Sequence, residues 1–238
     1  MIREAVDKIQ ELVEDKNPIV ESGGRDYSIR QLHPVVPPTP KPIGLSTLAG
    51  VRDLAKKLLD QQELILVVVE SGGEVAIVSQ LLDDWQQRAE YGRATVENQG
   101  APFPFGQKLD PESFIIAVHS QFADTADKGI ILKLAGAITA ERVVTAQDDG
   151  ISQQVGVRQG ITMQEKASLP SLVSLKPFRT FREVDQPESK FLFRAHQEGD
   201  GIPRLSLREA DGGAWKIEAI QRVAKWLRDN CPGVEVVA

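Results

Sequence analysis

The sequence predicts an α+β fold, mainly an antiparallel sheet with packed helices, carrying an N-terminal helix, a Pro-rich arm and a long projecting β-hairpin. Three observations predict this fold. Apolar residues recur at helical spacing in five stretches, the second half of the chain alternates apolar and polar residues, and five prolines cluster between residues 33 and 42. With 238 residues, 41% of them hydrophobic, the chain can bury a full core without disulfides or metals. We expect residues 1–44 to form the helix and arm, and residues 45–238 to form one domain.

The N-terminal region combines an amphipathic helix with an extended arm. Apolar residues from Ile2 to Val13 recur at helical spacing, so roughly the first fifteen residues should be helical. We expect a short strand from Tyr27 to Leu32. The prolines that follow impose polyproline geometry. This arm is either a spacer along the domain surface or a segment that docks on a neighbouring subunit or another partner.

The first part of the domain predicts a helix followed by a hairpin. Ser46 or Thr47 can cap a helix with an apolar face from Leu48 to Leu58. Leu64–Val69 is a continuous apolar run, for which we expect a strand buried on both faces. Ser71-Gly72-Gly73 then turns the chain into a second strand. Between Trp85 and Val96 the pattern leaves helix, strand and loop open.

Two further helices are expected before residue 140. Asp110 can accept hydrogen bonds from free backbone N–H groups, and Pro111 lacks the N–H that a first helical turn leaves unpaired. Phe114, Val118 and nearby apolar residues form the buried face of that helix. A second helical pattern runs from Thr125 to about Ile138.

Beyond residue 140 the pattern changes to strands. A long hairpin is expected from Glu141 to Thr162 around the turn Asp148-Asp149-Gly150. Because both of its faces are polar, the hairpin either projects into solvent or pairs with another subunit. The remaining expected elements are four strands (Leu172–Lys176, Phe178–Val184, Phe191–His196 and Arg204–Arg208), a helix from Trp215 to Leu227 and a terminal strand from Val234 to Val237.

Composition and charge narrow the functional classes. Thirty-four acidic against 28 basic residues give a net charge of −6, which argues against general coating of a nucleic-acid backbone but leaves local basic patches open. The longest apolar run is far shorter than the ~20 residues that cross a bilayer, and the charged N-terminus is unlike a signal peptide. A single cysteine, Cys231, excludes an intramolecular disulfide. We expect a cytoplasmic protein with no membrane partner.

No catalytic residue, metal ligand or cofactor is predicted. There is no Gly-x-Ser-x-Gly elbow, and Cys231 follows a helix C-terminus, where the helix dipole disfavours a thiolate. The three histidines, His33, His119 and His196, show no metal-ligand spacing. The acid pairs Asp83-Asp84 and Asp148-Asp149 fit ordinary turn chemistry. Gly212-Gly213 fits a strand-to-helix turn better than an anion site.

The candidate residues for binding a ligand or phosphate are the arginines of the C-terminal sheet: Arg179, Arg182, Arg194, Arg204 and Arg208. Strand alternation places Phe191, Phe193, Leu205 and Leu207 on one face and Arg194, His196, Arg204, Ser206 and Arg208 on the other. The basic face is either a solvated surface balanced by nearby glutamates or a site for phosphates of nucleic acid or a nucleotide, which arginine binds in bidentate fashion.

Three parts of the chain carry a resemblance to a known family: Phe105–Phe114, the hairpin flanking Gln147 to Val157, and Lys190–Arg194 with the closing strand and helix. They resemble the YfdQ-like proteins, a phage and prophage family of unknown function. The resemblance spans roughly Leu45 to Asp229. It implies a product of phage middle genes, of the kind often encoded near recombination or replication functions. It supplies no catalytic residues, and the Pro-rich arm departs from many family members.

We therefore expect a non-enzymatic, self-assembling phage or prophage accessory protein that supports phage DNA recombination or replication. Its expected partners are other copies of itself, with nucleic acid or a nucleotide as ligand. Two alternatives stay open: an oligomeric binder of a nucleotide signal that counters host antiviral defence, and a purely structural ring or shell. An enzyme with a dispersed site ranks last because no group of residues supports one.

Overall fold

The computed structural model describes residues 2–16, 19–22, 25–28, 41–81, 87–96, 102–140, 143–148, 153–159, 162–196 and 203–238. Helices and mixed and antiparallel sheets together form an α+β fold, as predicted. The chain divides into two compact units, Met1–Thr39 and Pro40–Ala238. The second unit thus begins at Pro40, whereas we expected the separate N-terminal region to extend through residue 44.

The first unit contains a helix and a small hairpin. The predicted helix is confirmed as α1 (Ile2–Lys16). It is followed by β1 (Ile19–Ser22) and β2 (Arg25–Ser28), which pair antiparallel. β1 was not predicted. Tyr27 and Ser28 of the predicted strand Tyr27–Leu32 lie in β2, and residues 29–32 lie outside the described residues. The prolines before residue 41 lie outside the described residues.

The second unit contains two larger sheets, a three-stranded sheet and four helices among its described residues. In chain order its elements are β3 (Ile43–Leu45), α2 (Leu48–Asp60), β4 (Ile65–Ser71), β5 (Glu74–Ser79), β6 (Glu90–Thr95), α3 (Pro111–Gln121), β7 (Phe122–Ala123), α4 (Ala126–Ala140), β8 (Val143–Asp148), β9 (Gln153–Gln159), β10 (Thr162–Leu169), β11 (Leu172–Pro177), β12 (Ser189–His196), β13 (Arg204–Glu209), α5 (Trp215–Asn230) and β14 (Glu235–Val237). Both predicted helix starts before residue 125 are confirmed: Thr47 Oγ1 accepts from Gly50 N–H at 3.0 Å, and Asp110 Oδ1 accepts from Ser113 N–H at 2.9 Å.

The first large sheet has the order β14-β4-β5-β6-β3. The predicted hairpin is confirmed as β4 and β5, whereas the flanking pairs β14–β4 and β3–β6 are parallel. Helices α2 and α5 pack on the buried residues of this sheet and form one hydrophobic core with them. Burial of β4 on both faces was wrong in part, because Ile65, Val67 and Val69 are buried but Leu66 and Val68 are only half-buried.

The second large sheet has the order β13-β12-β11-β7 and is antiparallel throughout. Helices α3 and α4 cover one face, where a second hydrophobic core is rich in phenylalanine. Phe103 meets Phe122 edge-on with ring centroids 5.1 Å apart, and Phe114 meets Phe193 at 5.7 Å. Aromatic pairs in such geometries add to the free energy gained from burial alone.

The third sheet has the order β10-β9-β8. Its β8–β9 pair confirms the predicted hairpin, with Asp148 opposite Gln153. The strand β10, which extends to Leu169, was not predicted. The turn at residues 149–152 and the side chains of this sheet lie outside the described part of the chain.

One predicted strand, Phe178–Val184, is wrong. The segment between β11 and β12 is a loop whose backbone groups are paired with a buried side chain, described below. Among the described residues, no helix is both long and apolar enough to cross a membrane.

Candidate functional site

The face of the second large sheet that points away from α3 and α4 carries the predicted polar residues. Arg194 lies opposite Ser206, His196 opposite Arg204, and Leu192 opposite Arg208. Phe191, Phe193, Leu205 and Leu207 are fully buried on the other face. The predicted separation of the two faces is confirmed. Since β12 and β13 pair without a bulge, residues that lie opposite each other point to the same face of the sheet.

This outer face bears five cationic side chains, which we call the basic face: Lys176, Lys190, Arg194, Arg204 and Arg208. The outward positions of β11, β12 and β13 are Leu172, Ser174, Lys176, Lys190, Leu192, Arg194, His196, Arg204, Ser206 and Arg208, and none of these described positions holds a carboxylate. Lys190, Arg204 and Arg208 are exposed, and Arg194 is half-buried. The alternation that identified the arginines would also have identified the two lysines.

Two of the outward side chains, Lys176 and His196, make polar contacts with other residues of the protein. Lys176 forms an ion pair of 3.1 Å with Asp185, which comes from the loop after β11, so its charge is partly compensated. His196 Nε2 lies 2.8 Å from the hydroxyl of Ser206, which is itself buried. This hydrogen bond holds the imidazole ring against its neighbouring strand, between the positions of Arg194 and Arg204.

Arg93 is an arginine of the same protein whose charge is neutralised by carboxylates. It lies on β6 and forms ion pairs with Glu90, Glu70 and Glu74 at 2.5–2.7 Å. These three carboxylates raise the pKa of the guanidinium, with Glu90 contributing most. An arginine held by three glutamates has little capacity left for an external anion.

Arg179 was predicted as a site residue beside the other arginines, but it does not lie on the basic face. Its guanidinium donates to Ser189 Oγ at 2.6 Å and forms an ion pair with Glu209. It stacks on the indole of Trp215, with 4.0 Å between the Cζ atom and the ring centroid, and lies 5.6 Å from the ring of Phe191. Burial lowers the pKa of this arginine, and the charge of Glu209 opposes that effect.

A half-open cavity of about 280 Å³ adjoins this arginine. Six of its lining residues are aromatic or proline, and two are polar: Pro102, Phe103, Phe105, Pro177, Phe178 and Trp215, with Gln121 and Arg179. We call it the Arg179 pocket. It lies at the end of the sheet where β11 ends and β12 begins, because Pro177 closes β11 and Ser189, the partner of Arg179, opens β12.

Unsatisfied polar atoms surround Arg179. Trp215 Nε1 and Asp211 Oδ2 are buried and make no hydrogen bond with any described residue. Burial alone would raise the pKa of Asp211, but the Ser189 hydroxyl, the Gly213 amide and the charge of Arg179 together lower it. Asp211 is therefore ionised at neutral pH. Buried polar atoms without partners are uncommon in folded proteins, and each costs free energy because it has lost its contact with water.

The loop that carries Arg179 is organised by Gln186, which is 4% exposed. Its carbonyl oxygen accepts from the backbone N–H groups of Arg179 at 3.0 Å and Thr180 at 3.2 Å. Its amide group donates to the carbonyl of Phe181 at 3.1 Å. These bonds replace the ladder that a strand would have provided, which explains why the predicted strand is absent. No sequence pattern identified Gln186.

Helix α5 fixes the far side of this loop. Arg222 donates to the backbone carbonyls of Asp185 and Gln186 at 2.9 and 3.1 Å, and forms an ion pair with the Asp185 carboxylate at 2.8 Å. The hydroxyl of Thr180 donates to the carbonyl of Gly72 in the β4–β5 turn. The loop is thus bonded both to α5 and to the first large sheet.

Arg182, another predicted site residue, is separate from the other four. It is exposed and stacks on Phe178, with 3.6 Å from its Cζ atom to the ring centroid. Since Phe178 also lines the Arg179 pocket, Arg182 lies near the rim of that pocket. The structure thus divides the five predicted arginines into three on the basic face, one in the pocket wall and one beside it.

The remaining candidate side chains do not add a reactive group to either site. Cys231 is buried, and burial raises the pKa of its thiol. His119 is exposed on α3, and His33 lies outside the described residues. In the described part of the chain, no three histidine, cysteine or acidic residues come together as metal ligands. Hydrogen bonding, stacking and charge pairing are the chemistry that these sites offer.

Comparison with known proteins found no match: no family model, no curated protein and no solved structure corresponds to the chain. The resemblance to the YfdQ-like proteins therefore stays a prediction from the sequence.

Proposed function

We propose that this chain is a non-enzymatic, self-assembling phage accessory protein that binds nucleic acid through the basic face and acts in the bacterial cytoplasm. The observation that carries this proposal is the set of five cations on the outward positions of β11, β12 and β13, without a carboxylate among those positions. The resemblance to YfdQ-like proteins supports the phage setting and a role near DNA recombination or replication.

The basic face suits a polyanion because its charge is concentrated while the rest of the molecule is acidic. The chain has a net charge of −6, so the surface elsewhere repels phosphates. Binding would be restricted to this face, and high salt would weaken it because salt screens the attraction between these cations and the phosphates. Arginines on neighbouring strands can each hold a phosphate through two N–H donors.

A nucleic-acid titration tests the proposal. The double variant Arg204→Gln/Arg208→Gln should weaken binding of a labelled oligonucleotide. It should also lower the slope of log affinity against log salt by about 1.4 for a single strand or about 1.8 for a duplex, since each lost phosphate contact removes ~0.7 or ~0.9. The matched control is Lys56→Gln/Lys57→Gln on the exposed side of α2, which removes the same charge. Equal binding by both double variants would overturn the role of the basic face.

Self-assembly is supported by α1. Its apolar residues at positions 2, 6, 9 and 13 alternate spacings of four and three, which is the pattern of a coiled-coil seam. Four of its side chains are more than half exposed: Val6, Ile9, Leu12 and Val13. A 15-residue helix is marginal by itself in water. A second copy of α1 offers the same seam and would bury these side chains.

Native mass spectrometry tests the assembly. The variant Ile9→Asn/Val13→Asn should shift the protein from oligomer to monomer because it places amides in the seam. Glu4→Asn/Glu11→Asn, on the opposite side of α1, is the control and should leave the oligomer intact. An oligomer that survives both changes would exclude α1 as its contact, and a monomeric unaltered protein would exclude self-assembly.

A second candidate is the oligomeric binder of a nucleotide signal, and the Arg179 pocket is the observation that favours it. Retention of a small nucleotide through gentle purification, detected in the same native spectra, would support this function. A purely structural ring or shell has the support of α1 alone and would be indicated by an oligomer with no affinity for nucleic acid or nucleotides.

A further inference from the structure

The Arg179 pocket has the size and lining of a site for one flat ring. Its volume of about 280 Å³ lies just below the range of ~300–1,000 Å³ seen for ligand pockets, which suits a small ligand. Four aromatic residues and two prolines give it flat, apolar walls. Arg179 and Gln121 supply the few polar groups that fix the orientation of a ligand in such sites.

The charges around the pocket balance. Arg179 is paired with Glu209, and the ionised Asp211 lies close enough to act on its charge. Arg182, which stacks on Phe178 of the lining, adds a second cation beside these two carboxylates. A neutral ring therefore needs no further charge partner in this pocket.

The polar groups of the lining suit a ligand with both donors and acceptors. Arg179 uses two of its five N–H groups on described residues, one for Glu209 and one for Ser189. The side-chain amide of Gln121, which also lines the pocket, carries both donors and an acceptor. A neutral heterocycle that carries ring nitrogens, carbonyl oxygens and amino groups matches this mixture better than a purely apolar ring does.

We propose that the Arg179 pocket binds a single unpaired nucleobase. This inference rests on the proposed nucleic-acid function and deepens it, because only a base that is not paired can enter the pocket. Lys176, Lys190 and Arg208 are the cations of the basic face at the same end of the sheet, where β11 and β13 end and β12 begins. Because Phe103, Phe105 and Gln121 of the pocket belong to the α3 side of the sheet, a strand whose phosphates follow these cations would pass around this end of the sheet to place one base in the pocket.

Base insertion makes a prediction about selectivity. Stacking of a base on aromatic side chains contributes strongly to single-strand binding and tolerates any base, because every base has a flat π-face. The protein should therefore bind a single-stranded oligonucleotide about tenfold more tightly than an oligonucleotide of the same length that carries abasic sugars, or than a duplex.

The experiment compares three labelled probes by fluorescence anisotropy with the full chain: a single strand, its abasic counterpart and a duplex. In Phe178→Ala, which removes one wall, affinity for the single strand should fall to that for the abasic probe, while abasic binding stays unchanged. Trp215→Phe keeps a ring beside Arg179 but shortens this wall of the pocket, and should lose a smaller part of the preference. Tyr91→Ala, an aromatic truncation on β6, is the control and should keep the full preference.

The outcomes separate this inference from the proposed function. Binding that depends on Arg204 and Arg208 but is equal for all three probes would contradict base binding in the Arg179 pocket. It would not contradict nucleic-acid binding by the basic face. No binding of any probe would overturn the nucleic-acid function. Titration with free adenosine then distinguishes the two sources of a base: adenosine binding that Phe178→Ala abolishes, without oligonucleotide binding, assigns the pocket to a free nucleoside or nucleotide. Absence of both adenosine binding and a base-dependent preference would exclude a base in the pocket.

Discussion

Gln186 is the single residue on which the geometry of the Arg179 loop depends most. Gln186→Leu keeps a similar side-chain size but leaves the buried N–H groups of Arg179 and Thr180 without their acceptor. Because an unsatisfied buried polar group costs ~1–3 kcal/mol, the free energy of unfolding should fall by at least about 2 kcal/mol. Urea denaturation followed by circular dichroism measures this change.

The control for Gln186→Leu is Gln107→Leu, which replaces an exposed glutamine in the loop before α3. We expect a change within about 0.5 kcal/mol for this surface substitution. If the two variants had equal stability, the hydrogen bonds of Gln186 would not be what holds the loop.

The arginines show how far single residues could be predicted from the sequence. Arg194, Arg204 and Arg208 were predicted to share a face because they lie in strands, where alternation decides orientation. Arg179 was assigned to the same region because Phe178–Val184 has the apolar and polar alternation of a strand. Its backbone instead bonds with a glutamine seven residues later, and local patterns carry no information on such a contact.

The contact between the β4–β5 turn and α5 makes a prediction at the level of elements. A Cβ atom added at Gly72 would lie 2.5 Å from the Cβ atom of Ala219, which is too close for any real pair. Gly72→Ala should therefore destabilise the protein by ~1–3 kcal/mol, the usual cost of overpacking. Restoring space with Ala219→Gly in the same chain should recover part of the loss, after the ~1 kcal/mol that glycine costs inside a helix.

Gly129→Ala is the matched control for this pair of elements. Gly129 lies within α4, and a Cβ atom there would meet no other atom within 4 Å. Alanine should stabilise the helix by up to ~1 kcal/mol. Thermal unfolding of the three variants, compared with the unaltered chain, would contradict the packing argument if Gly72→Ala and Gly129→Ala behaved alike.

The start of α3 makes a prediction about pH. Hydrogen bonds from Ser113 lower the pKa of the Asp110 carboxyl group. Since its pKa is lower in the folded than in the unfolded chain, Asp110 stabilises the fold above the unfolded pKa, and this contribution is lost as the pH falls through the folded pKa. Asp110→Asn keeps an acceptor but cannot titrate, so its unfolding free energy should decline less between pH 5 and pH 2. Parallel declines in urea titrations would show that the cap carries no charge-dependent stability.

Elements with a strong local period were predicted, and elements defined by a distant partner were not. The helices α1 to α5 follow from apolar spacing and caps, and the β4–β5 hairpin follows from its turn. β7 has two residues and exists because Phe122 and Ala123 pair with the end of β11. A strand of this length has no measurable period, so its existence depends on tertiary contact alone.

At the scale of the whole molecule, the sequence did not reveal that the second unit has two hydrophobic cores. One core joins α2, α5 and the first large sheet, and the other joins α3, α4 and the second. The sheet of the first core includes β14, which pairs with β4 although most of the chain separates the two strands in sequence. Pairings of such sequence separation are set by the global packing of buried faces, which a pattern read along the chain does not contain.

Both cores consist only of residues from the second unit, which leads to a prediction about truncation. A chain beginning at Pro40 should unfold with the same free energy as the full chain, because no residue of either core is removed. A chain beginning at Ser46 also loses β3, whose Leu45 packs on the first core and whose backbone pairs with β6. It should be less stable by about 1–2 kcal/mol, the order expected for a half-buried leucine. Urea denaturation of the three chains measures both differences, and equal stability of the two truncated chains would contradict the placement of β3 in the sheet.

The chain that begins at Pro40 also tests assembly. In native mass spectra it should be a monomer if α1 forms the contact between subunits. One truncation therefore separates the stability of the domain from its assembly.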